Sequence, residues 1–131
     1  MGWMLDTSVA IYLRDGHEEV TERLRALEGE PIISAVTRVE LESGVYRDLA
    51  QAARRRVRLD DMLETFTVLP FDERAAAAYG QILATIGFSR SRIIDRMIAA
   101  HAVATGLSLV TSNRADFRDI PNLQLADWPP T

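Results

Sequence analysis

The chain has no cysteine and no lysine among its 131 residues, and only two histidines, His17 and His101. The first absence excludes disulfides, thiolate zinc sites and cysteine nucleophiles. With so little histidine, a bound metal is expected on oxygen ligands, which selects a hard cation. The second absence makes every one of the 15 basic residues an arginine. A GC-rich coding bias accounts for that, and any phosphate contact is left to a guanidinium fork.

Glycine and proline are also sparse, at 7 and 5 residues, which argues against a fibrous or disordered segment. No apolar run reaches the length of a membrane span, and no basic-then-apolar leader opens the chain. A cytoplasmic protein with no membrane contact is the expectation. The net charge of -4 disfavours broad attraction to nucleic acid, although a local basic patch remains compatible with it.

What is present is an alternation of short apolar runs and longer segments of helical period. Strands are predicted at 3–5, 31–35 ("PIISA"), 67–71 ("TVLPF"), 107–112 ("LSLVTS") and 123–127 ("LQLAD"). Helices are predicted at Ser8–Arg14 and Glu18–Leu27, and over a long stretch from Thr37 to Thr65 broken near Asp48. A further helix begins at the cap Asp72 and ends at Gly87, and another runs from Ser91 to Thr105 and stops at Gly106. Strands separated by helices imply βαβ units. The predicted fold is α/β: a three-layer domain over 1–131 with a central, mostly parallel sheet of about 4–5 strands flanked by helices.

Parallel sheets of this kind carry functional residues outside the carboxyl ends of their strands. Four acids fall at or near such ends: Asp6 after the first strand, Glu40 one helical turn past "PIISA", Asp95 early in the helix leading to "LSLVTS", and Asp116 just beyond that strand. Each has a plain structural alternative. Asp6 fits an N-cap, and Thr37-Arg38-Val39-Glu40 fits a capping box. Asp95 fits a solvated helix face, and Asp116 a turn acid. Their joint placement is what points to chemistry. Neighbouring carboxylates repel one another unless a divalent ion neutralises them. Mg²⁺ or Mn²⁺ on such acids suits in-line hydrolysis of a phosphodiester.

"MLDTSVAIYL", "ISAVTRVELESGV", "DRMIAAHAVATGLSLVTSNRADF" and the closing "LADW" together resemble the PIN-domain ribonucleases, and more narrowly the VapC/FitB-type toxins of type II toxin–antitoxin pairs. "LPFDERAAAAYGQI" is similar to the central helix of that group. The resemblance spans nearly the whole chain. It implies a PIN fold, a Mg²⁺- or Mn²⁺-dependent endoribonuclease cutting tRNA or rRNA, a cognate VapB-like antitoxin and a homodimer. The family's acidic positions correspond to Asp6, Glu40, Asp95 and Asp116. Its polar helper after the last long strand corresponds to Thr111 or Ser112, with Asn113 alongside, and Ser8 to the small residue that orients the first acid. With the resemblance, Glu40 reads as a site acid rather than a box residue. A nuclease acting on DNA, or an antitoxin-binding co-repressor of the operon, are the other readings.

The remaining features divide by environment. "ARRRVR" (53–58) lies among acids and reads as a solvated, salt-bridged helix face. "FSRSR" (88–92) offers Arg90 and Arg92 for substrate or antitoxin contact. Arg96 is expected to point away from Asp95. His101 reads as a packed core histidine and His17 as an exposed loop residue. Tyr79, Ile82, Leu83 and Ile86 mark the buried face of the Ala-rich helix.

Overall fold

The computed structural model describes residues 2–129. The chain runs β1 (Trp3–Leu5), α1 (Thr7–Arg14), α2 (Glu18–Ala26), β2 (Ile32–Ser34), α3 (Ala35–Arg47), α4 (Ala52–Thr65), β3 (Thr67–Leu69), α5 (Glu73–Ile86), α6 (Ile93–Thr105), β4 (Ser108–Thr111) and β5 (Leu125–Asp127). Three single 3-10 turns cover Leu49–Gln51, Arg90–Arg92 and Arg114–Asp116. The five strands form one sheet in the order β3-β2-β1-β4-β5, and every pair is parallel.

Period-two alternation along the short strands feeds two separate cores. Met4 and Leu109, paired in register, face α5 and α6 together with Ile82, Ile98, Phe117 and Ile120. Their neighbours Leu5 and Val110, also paired, face α1 to α4 with Val9, Val20, Leu41, Val45, Leu59 and Phe66. Each such side chain contributes roughly 1.5–3 kcal/mol by leaving water, which holds three-residue strands that have little local stability. A one-residue slip of β1 would exchange Met4 for Leu5 across the sheet, so the register is fixed by both layers at once.

The helix boundaries follow their capping groups. Asp72 accepts from the Ala75 N–H at 3.1 Å and starts α5. Gly106, at φ +70°, ends α6 in the left-handed conformation that glycine reaches without a Cβ penalty. The long helical stretch does break at Asp48, whose carboxylate accepts from Ala50 N–H and begins the turn into α4. Its start differs from the sequence reading. α3 begins at Ala35, directly after β2, with Ser34 as N-cap accepting from Val36 N–H at 3.1 Å. Thr37 therefore lies inside the helix, and the Thr37–Glu40 capping box does not form.

His17 is a second correction. It is partly buried rather than inert: its Nδ1 accepts from Val20 N–H at 3.4 Å as the N-cap of α2, and its ring stands edge-on to Tyr12. The arginines of α4 also differ from a simple salt-bridged face. Arg56 is paired with Glu42 at 2.6 Å and Asp60 at 2.8 Å. Arg55 and Arg58 instead donate to the carbonyls of Gly44 and Arg14, tying α4 to α3 and α1.

Candidate active site

The chain lays β1, β2 and β3 outward on one side, then returns to place β4 against the other side of β1. That reversal puts a topological switch point between β1 and β4, where α1 leaves one strand and the 3-10 turn Arg114–Asp116 follows the other. Asp6 follows β1 at this point, and Ser112 and Asn113 follow β4.

Asp6 does two jobs. Its Oδ1 accepts from Val9 N–H at 2.9 Å, capping α1, and from the Ser8 hydroxyl at 2.7 Å. The cap and the candidate site acid are thus one residue. Only 4% of Asp6 is exposed. Burial raises its pKa, and the Glu40 charge adds to that, while Thr111, the Val9 amide and Ser8 hold it back. Ser8 spans further, with its Oγ 3.0 Å from the Ser112 hydroxyl, so the ends of β1 and β4 are bridged by side chains. Thr111 is fully buried, and its hydroxyl accepts from Asn113 N–H at 2.9 Å, which shapes the exit of β4.

Glu40 comes from α3. The Thr7 hydroxyl donates to its Oε1 at 2.5 Å and also lies 3.2 Å from the Thr37 hydroxyl. Thr7 was not singled out from sequence, and Thr37 only as the cap of a box; "DTS" and "VTRVE" hold the signal, a hydroxyl near each acid, but nothing in it pairs segments so far apart. Asp95 lies in the first turn of α6, where the helix dipole favours an anion. Its pKa is nevertheless pushed up to about 6, first by burial and then by the charges of Asp116, Glu40 and Asp6, with Arg92 opposing. Asp116 closes the turn after β4, where the Arg92 guanidinium donates to its carbonyl at 3.0 Å and sits 3.6 Å from its carboxylate.

Asp116, Glu40 and Asp6 therefore all come within electrostatic reach of Asp95, and Glu40 within reach of Asp6. Arg92 is engaged with Asp116, whereas Arg90, on the same 3-10 turn, is exposed. Arg96 turns away, as expected, and donates to the Gly87 carbonyl at 2.7 Å. A fifth acid, Asp127, ends β5 on the same edge of the sheet but is paired with Arg114 at 3.3 Å. His101 is buried, with Nδ1 2.8 Å from the Ser34 hydroxyl, and takes no part in the acidic group.

Among the described residues, no three acidic or histidine side chains gather into a ready-made metal cage. The donor set still fits a hard divalent cation. Mg²⁺ takes one or two carboxylates and keeps several waters, so spaced acids suit it better than an all-protein cage. The mutual repulsion that raises Asp95 is the load a cation relieves.

Comparison with known proteins agrees with this fold. Residues 3–123 match the model of the PIN domain. The chain is 33% identical to the tRNA(fMet)-specific endonuclease VapC of Salmonella typhimurium, covering 96% of this chain and 97% of that protein. It is 30% identical to ribonuclease VapC2 of Rickettsia felis over 98% of each. Among solved structures, VapBC from Salmonella typhimurium bound to DNA superposes with a TM-score of 0.87 at 32% identity, over 98% of each chain. FitAcB from Neisseria gonorrhoeae gives 0.79 at 30% identity, covering 95% of this chain and 96% of that one.

Proposed function

The chain belongs to the PIN-domain family, and from that premise we propose that it is a VapC-type endoribonuclease toxin whose site is the quartet Asp6, Glu40, Asp95 and Asp116. The observation that carries the reading is the electrostatic convergence of these four acids where β1, β2 and β4 end.

Asp6, the buried acid of the four, and Asp95, whose pKa burial and its neighbours raise to about 6, are the direct ligands in this reading, with Glu40 and Asp116 acting directly or through water. Mg²⁺ or Mn²⁺ held by these carboxylates would supply the charge that lowers the pKa of a water and stabilises the crowded phosphate. The protein's own part is aim. Ser8 and the α1 amide fix the Asp6 carboxylate, and Thr7 fixes Glu40. Asn113, exposed at the exit of β4, is assigned in this reading to the attacking water or a phosphate oxygen. Arg92 neutralises Asp116 and, with Arg90, offers guanidinium donors to the phosphate next to the cleaved one.

The relatives' structures are toxin–antitoxin complexes, one of them bound to a DNA fragment from its promoter. By that likeness this chain pairs with a VapB-like antitoxin. The test is cleavage of labelled RNA and DNA by the purified chain with Mg²⁺, with Mn²⁺ and with EDTA. RNA cut only with the cation present is the expected result. Cleavage of DNA instead, or equal cleavage in EDTA, would overturn the reading, and mapping the cut ends in cellular RNA after induction would identify the target.

A further inference from the structure

Phe88 is one of the most solvent-exposed large apolar residues of the structure, at 67%, and it stands at the head of the segment that leads into Asp95. A lone exposed aromatic is ordinary on a protein surface. The way this one is held is not. Gly87, at φ +84°, ends α5 in a conformation that suits glycine. Its carbonyl accepts a 2.7 Å hydrogen bond from Nη1 of Arg96. Only 6% of Arg96 is exposed, and its Nε is buried without a partner. The fold thus holds the turn that displays Phe88 with a buried guanidinium, which also lies 3.8 Å from the Asp119 carboxylate and keeps its Nε unsatisfied. An unsatisfied buried nitrogen costs stability, and that cost points to a turn held for a use.

The position of that turn gives the use. Arg96 is the residue after Asp95, so the clamp and the site acid share one turn of α6. Immediately after Phe88, a 3-10 turn carries Arg90, which is exposed, and Arg92, which is bound to Asp116. An aromatic face, a free guanidinium and a hydrolytic site in this order match the way single strands are gripped. Arginine takes the backbone phosphates, and a ring takes a base.

We infer that Phe88 is a stacking platform for a nucleobase adjoining the cleaved phosphodiester, held in place by Arg96 acting on Gly87. This rests on the ribonuclease reading and adds to it a subsite for an unpaired base. The substrate is accordingly single-stranded, or splayed open, at the cleavage position.

The test uses the full chain with Ca²⁺, and as probe a fluorescein-labelled mixed-sequence 12-nucleotide RNA. Phe88→Ala is expected to weaken binding about 10-fold, while Phe88→Trp keeps it. The added tryptophan emission is expected to be quenched by the RNA and left unchanged by inorganic polyphosphate, since stacking needs a base. Three results overturn the inference: an Ala variant that binds and cleaves RNA like the parent, equal quenching by polyphosphate, or an effect of Phe88→Ala confined to self-association or antitoxin binding. Failure of the ribonuclease reading is seen separately, as no RNA cleavage by the unsubstituted chain under any divalent cation.

Discussion

The Thr7 hydroxyl donates to Oε1 of Glu40 at 2.5 Å, joining the first turn of α1 to the second turn of α3 across 33 residues of sequence. A carboxylate on a helix has several rotamers, and this bond selects the one that keeps Glu40 with Asp6. Thr7→Val keeps the shape and deletes the donor. RNA cleavage is expected to fall roughly 10-fold or more, in the range seen when a group that orients a metal ligand is lost. Stability should drop by only about 1 kcal/mol. Thr7→Ser restores the rate. Wild-type cleavage in the Val variant would show that Glu40 needs no such support.

Asp6 separates its two roles by substitution. Asparagine retains an Oδ1 that can accept from Val9 N–H and Ser8, so Asp6→Asn should fold with near-parental stability and lose cleavage and growth arrest. Asp6→Ala loses the charge and the cap, and should cost about 1 kcal/mol more by urea unfolding. A fully active Asn variant would remove Asp6 from the metal site.

Asp95 predicts a pH dependence whose sign is fixed by its raised pKa. The ordinary value is 3.8 and the folded value about 6, because burial and then Asp116, Glu40 and Asp6 disfavour the carboxylate. The contribution of this group is therefore complete below pH 3.8 and is lost as pH rises through about 6. Metal-free protein at pH 7.5 carries the repulsion in full. Asp95→Asn should then raise its stability by about 1–2 kcal/mol at pH 7.5, after discounting for solvent screening, and leave it unchanged at pH 3.5. Mg²⁺ should stabilise the parent more at pH 7.5 than at pH 5 in thermal melts. A Mg²⁺ effect independent of pH would contradict this.

Much of this was legible in the sequence because the strands are flanked by strong stops and the acids sit beside them. The break at Asp48, the cap at Asp72 and the terminator Gly106 are local signals, and each held. The start of α3 was misread because T-x-x-E matches a capping box by spacing alone. What decides the start is Ser34, the last residue of β2, which caps the helix with no loop between. Nothing in a five-residue window shows that a strand ends there. Asp6 posed a choice between cap and site, and the structure shows the cap: Oδ1 serves α1, which does not by itself exclude the site role proposed for the same residue. Thr7–Glu40 and Ser8–Ser112 are contacts between distant segments, and such pairings depend on the order in which the strands assemble.

Ser34 ties the two helices that carry site acids. Its hydroxyl oxygen accepts from Val36 N–H at the start of α3, and lies 2.8 Å from Nδ1 of His101 on α6. The Ser34 oxygen has a second lone pair, so the contact forms with either neutral tautomer of His101. Burial lowers the His101 pKa and favours the neutral ring. Ser34→Ala removes the cap and leaves a buried ring nitrogen without a partner, for an expected loss of about 2–3 kcal/mol. His101→Leu strands the hydroxyl instead. Because each single change orphans the partner of the other, the double variant should lose at least 0.5 kcal/mol less than the sum of the two. Urea unfolding of the four proteins measures this coupling. Strict additivity would mean that α3 and α6 are aligned by apolar packing alone, and that the acids they carry owe nothing to the pair beneath them.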